Sequence, residues 1–77
     1  MTRPRIPRRG TCVVYAPNPV SHLMYTDPPP VGDVGVVVAM PGFPERHYLP
    51  GPGGGLLYVR WATCGTRGVA PQDVERV

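Results

Sequence analysis

Short apolar runs closed by glycine or proline restrict this chain to β-structure. Thr11 to Ala16 is the first, with Val13, Val14 and Tyr15 supplying β-propensity. Asp33 to Met40 is the second and Leu56 to Ala62 the third. Twelve Pro and ten Gly fall mostly between such runs, where they punctuate loops. Thr63-Cys64-Gly65-Thr66 reads as a hairpin turn, with Gly65 free to take positive φ. Arg67 to Ala70 follows as a fourth strand. Pro71-Gln72-Asp73-Val74 fits a single 3₁₀ turn, and Glu75-Arg76-Val77 a closing strand.

Three strands, a tight turn and a one-turn helix delivering a last strand make the layout of a small five-stranded SH3-like β-barrel. The expected fold class is therefore all-β, with one 3₁₀ turn and two long Pro/Gly-rich loops. Asn18 to Val31 is the first loop, closed by Pro28-Pro29-Pro30, and Pro41 to Gly55 is the second. A loop as long as the second is expected to be functional or mobile. Strand alternation puts Leu57, Val59 and Trp61 in the core and Leu56, Tyr58 and Arg60 outside. On the second strand it predicts Gly35 outward and Val34, Val36 and Val38 on the opposite side. Gly32 and Gly35 suggest a turn and a bulge or close backbone approach there.

A chain of 77 residues makes one domain. It buries only about 60–65 % of its unfolded surface, so the core is thin and a deep catalytic cleft is hard to build. The formal net charge is +3, unevenly placed. Arg3, Arg5, Arg8 and Arg9 stand without acids in an extended Arg/Pro-rich arm, residues 1–9, ahead of a near-neutral barrel, residues 10–77. Such an arm is either a solvated tail or a strap for a phosphate backbone or an acidic protein face. All basic residues are Arg, with a single Asn and a single Ile. That usage indicates a high-GC genome, such as an actinobacterium or one of its phages. No apolar run is long enough for a signal peptide or a membrane span, so a soluble cytoplasmic protein is expected. Cys12 and Cys64 are expected to be buried or half-buried free thiols, with a disulfide between them left geometrically open.

Gly32, Asp33, Gly35 and Val37, then Val59 and Trp61, then Gly65, then Pro71, Asp73 and Val77 form a pattern. It resembles a family of small uncharacterised SH3-like proteins of actinobacteria, their phages and their mobile elements. Asp27-Pro28 lies where that family often has an Asp-Pro pair. The likeness spans roughly residues 10 to 77 and departs in the longer second loop and in the Thr63-Cys64-Gly65 turn. It implies the barrel and a phage or mobile-element setting, and no enzyme chemistry.

Direct inspection for chemistry agrees with that implication. Cys12, His22, His47 and Cys64 lack the close ligand pairs of a zinc site. Nothing in the sequence orients an imidazole toward a thiol. Gly53-Gly54-Gly55 lacks the Gly-Lys-Ser/Thr ending of a phosphate loop. No metal, cofactor or catalytic residue is expected, and neither a membrane nor a small-molecule substrate. What remains is surface. Tyr25, Phe43 and Tyr48 sit in the two loops that flank one groove of such barrels, and Tyr58 and Arg60 on the outer face. They are either anchors for a protein partner or, for the loop aromatics, residues that fold the loops back. The expected function is a non-enzymatic module docking on a virion component or a host protein. The alternative is a nucleic-acid binder using Arg3, Arg5, Arg8 and Arg9 with the barrel surface. The expected setting is the host cytoplasm or a virion.

Overall fold

A computed structural model describes residues 6–77. Strands β1 (Cys12–Tyr15), β2 (Val34–Val37), β3 (Tyr48–Leu49), β4 (Leu56–Trp61), β5 (Gly65–Val69) and β6 (Val74–Arg76) form one antiparallel sheet. A helix α1 (Pro19–Met24) and 3₁₀ turns at Pro52–Gly54 and Pro71–Asp73 complete the elements. Hydrogen-bonded neighbours run β6-β1-β2-β4-β5, the strand order of an SH3-like barrel, and the sheet curls around a single core.

The sixth strand was not expected. β2 ends at Val37, so the start of β4 has a free edge that β3 occupies, pairing Tyr48 with Leu57 and Leu49 with Leu56. Tyr58 marks the handover: its carbonyl accepts from the Val38 amide and its own amide donates to His47, both at 3.0 Å. Part of the second loop is therefore β-structure.

Val13, Tyr15, Val37, Leu57, Val59, Trp61 and Val69 are buried together. Leu57, Val59 and Trp61 face inward as their alternation predicted. The second strand has the opposite register to the one expected. Gly35 points inward beside Val37, while Val34 is 50 % exposed and Val36 only half-buried. The cause is Trp61, which pairs with Gly35 across the sheet. A Cβ on Gly35 would stand 2.9 Å from the indole Cε3 and 2.8 Å from the Arg60 carbonyl, so the indole takes the space of a side chain. Close backbone approach, the second reading of that glycine, is what the strand contains.

Asp33 ties the start of β2 to the β4–β5 turn. One carboxylate oxygen accepts from the Val34 amide, the other from the Thr63 amide and hydroxyl. In that turn Gly65 takes the expected positive φ, +79°.

The first loop is not all irregular. Asn18 caps α1 by accepting from the Ser21 amide at 2.8 Å, and Pro19 opens the helix, where its missing N–H is no loss. Pro29 of the polyproline stretch is fully buried.

Arg3 and Arg5 lie outside the described residues. Residues 6–9 are docked. Ile6 packs on the core, Pro7 is buried, and Arg9 donates to the Pro44 carbonyl at 2.7 Å. Cys12 and Cys64 are free thiols, and Cys12 is exposed rather than buried because it lies on the outer side of β1. No helix among the described residues is long and apolar enough to cross a membrane.

Candidate functional site

A cleft of about 320 Å³ opens between the two long loops. Ser21, Met24 and Tyr25 form one wall, Pro52, Gly53 and Gly55 the other, and Leu56, Ala70 and Asp73 line it between them. The glycine wall is held in place. The Tyr48 hydroxyl donates to the Gly54 carbonyl at 2.6 Å, and the Gln72 side-chain amide donates to Gly53 at 2.7 Å.

Tyr25 is a fixed part of this cleft. Its hydroxyl donates to Asp73 Oδ2 at 2.6 Å and accepts from the Ala70 amide at 2.7 Å. Its ring meets Tyr15 edge-on at 6.3 Å. Burial, followed by the smaller effect of Asp73, pushes the Tyr25 hydroxyl well above its usual pKa. Burial and the Asp73 charge push Tyr15 in the same direction. Asp73 itself is buried, and its second oxygen, Oδ1, has no hydrogen-bond partner among the described residues. A buried acceptor left in that state costs free energy until a donor reaches it.

Helix α1 stands at the rim. None of its residues is buried. Val20, Leu23 and Met24 are 68 %, 82 % and 80 % exposed, the longest apolar side chains of the first loop turned to solvent. His22 faces the other way, its Nδ1 3.0 Å from the Tyr15 hydroxyl, and this contact anchors the helix.

The residues expected at a docking site are not gathered in one place. Tyr25 lines the cleft and Tyr48 supports its wall. Phe43 is 51 % exposed on a separate turn, bridged to Met40. Tyr58 and Arg60 lie on the outer sheet face, Tyr58 half-buried and Arg60 exposed. Val20, Leu23, Met24 and Asp73 were missed. The signal for the helix was the Asn18-Pro19 pair, a cap followed by a first-turn proline.

A second feature is electrostatic. Arg8 sits with Ile6, Arg46 and His47 around one hollow, and with Thr11 and Arg76 around another. Three arginines from the arm, the second loop and β6 thus meet at one end of the barrel. Among the described residues no group of His, Cys, Asp and Glu is placed to hold a metal ion. No family model, curated protein or solved structure matches this chain, so a functional reading rests on the cleft, the helix and the charges themselves.

Proposed function

We propose that this chain is a non-enzymatic interaction module of a high-GC actinobacterial phage or mobile element. It docks through α1 and the adjoining cleft on a protein, either a virion component or a host factor, in the host cytoplasm or the assembled particle. The carrying observation is the exposure of Val20, Leu23 and Met24 beside a cleft with an unpartnered buried acceptor. Burying each of these side chains is worth about 1.5–3 kcal/mol, and the barrel draws on none of it. The fitting partner is a protein segment that covers the helix with apolar side chains and offers an N–H to Asp73 Oδ1. No cofactor, membrane or small-molecule substrate enters this reading.

A photo-crosslinking residue at position 23, used in nuclease-treated actinobacterial lysate, tests it. A discrete protein adduct that Met24→Asp removes is expected. An adduct pattern unchanged by Met24→Asp would sink the reading.

A second reading has its own support in the convergence of Arg8, Arg46 and Arg76, with Arg9 close by in the arm. Together with Arg3 and Arg5 they offer a nucleic-acid phosphate backbone a basic surface. Its signature is steep loss of binding with salt.

A further inference from the structure

The outer side of the sheet does not have the composition of a solvated face. An antiparallel sheet with one wet side alternates apolar inward with polar outward. Here the register sets Cys12, Val36 and Arg60 in one outward row and Glu75, Val14 and Val34 in the next. Cys12 and Val34 are both exposed, and with Val36, Arg60, Ala62 and Val77 they line an apolar basin of about 380 Å³. The charges in these two rows are one arginine and one glutamate, separated by β1 and β2. Neither forms an ion pair among the described residues, where the pair present is Arg67–Asp27.

We propose that this face binds a second copy of the chain, forming a two-fold homodimer. A two-fold interface must be complementary to itself. Take an axis lying in the face and bisecting the line from Arg60 to Glu75. It sets each Arg60 against Glu75 of the other copy. With strands spaced about 4.8 Å apart and two residues rising about 7 Å, Cys12 and Val34 fall close to that axis. Val14 then meets Val36 of the other copy, Val34 meets Val34, and the two Cys12 thiols approach each other. One opposite-charge pair at each end and aliphatic contacts between them satisfy the symmetry with no like-charge contact. The face shares no residue with the cleft, so a dimer would present two docking clefts and gain avidity toward a repetitive partner such as a particle surface.

Sedimentation of the full chain under reducing conditions tests the proposal. A monomer–dimer equilibrium is expected. Val34→Glu should weaken it by at least about a hundredfold, since it sets two unpaired carboxylates together at the axis. Arg60→Glu and Glu75→Arg should each weaken association by about tenfold, and the double exchange should restore it, because the pair is reversed but kept. Mild oxidation should yield a covalent dimer whose linked peptides both contain Cys12. If circular dichroism shows that Val34→Glu unfolds the chain, the charge exchange decides. A chain that stays monomeric up to about 1 mM overturns the proposal. So does a dimer that resists both the folded Val34→Glu variant and the charge exchange, or one dispersed only by Leu23→Asp, which would assign association to α1.

Discussion

Tyr25 links the first loop to the closing turn through a single oxygen. The hydroxyl satisfies the Ala70 amide and half of the Asp73 carboxylate, so its removal leaves two buried groups without a partner. Tyr25→Phe is therefore expected to cost about 1–3 kcal/mol in a urea melt near neutral pH. The raised pKa values carry a pH dependence with a definite sign. Folded Tyr15 and Tyr25 hold their protons above 10.0, where an unfolded chain releases them. Stability is therefore full below that pH and falls as pH rises beyond it. The Tyr25→Phe variant should show a shallower fall, and a fall as steep as in the parent would show that Tyr25 does not keep its proton. The inward set Leu57, Val59 and Trp61 could be read from alternation alone because β4 has a polar residue, Arg60, to mark its outer side. β2 offers valine on both sides and no such marker. Only knowledge that Trp61 lies across from Gly35 settles its register, and that is a tertiary contact.

Among the elements, those that sequence reading captured are the ones that own their signals. The β4–β5 hairpin has Gly65, and the closing 3₁₀ turn has Pro71 at its first position. β3 has no propensity of its own to betray a two-residue strand. It forms because β2 leaves part of β4's edge open, a consequence of the assembled sheet. α1 did carry a local signal, but six residues fall below the length at which apolar periodicity can be measured. Its stability can be separated from that of the barrel. Asn18→Ala should free the Ser21 amide and weaken α1 by about 1 kcal/mol. Amide exchange should then quicken at Ser21 and His22 while the β4 amides keep their protection. Loss of protection throughout the sheet would instead make α1 part of the cooperative core. The β4 register can be tested in the same way. Val59→Asp should unfold the domain, since it buries an unpaired carboxylate at a fully buried position, whereas Tyr58→Asp on the outer side should leave it folded. Circular dichroism melts with the order reversed would contradict the register.

Across the molecule as a whole, the arm and the barrel are less separable than charge alone suggests. The excess of arginine begins at Arg3, but Ile6 and Pro7 belong to the packed structure, and Gly10 donates to the Val37 carbonyl at 2.8 Å. Removing residues 1–9 would strip a cover from a thin core, and its binding phenotype would be confounded by lost stability. Replacing Arg3, Arg5, Arg8 and Arg9 with alanine keeps Ile6 and removes only charge. The two readings of function then diverge. If a protein partner is bound through α1 and the cleft, the four-alanine variant should retain most of its affinity and change little with salt. Leu23→Asp with Met24→Asp should abolish binding, because apolar anchors dominate such an interface. If a nucleic acid is bound at the basic end, the order reverses. Four phosphate contacts give a slope of about −3 to −4 in log affinity against log salt, so raising salt from about 50 to about 200 mM weakens duplex binding roughly a hundredfold. The four-alanine variant should lose that binding and the helix variant keep it. Titration of the three proteins against a fluorescent duplex at two salt concentrations, alongside the photo-crosslinked partner, distinguishes the cases. Salt-steep duplex binding that survives the loss of Leu23 and Met24 and disappears with the arm arginines would displace protein docking as the function of this chain.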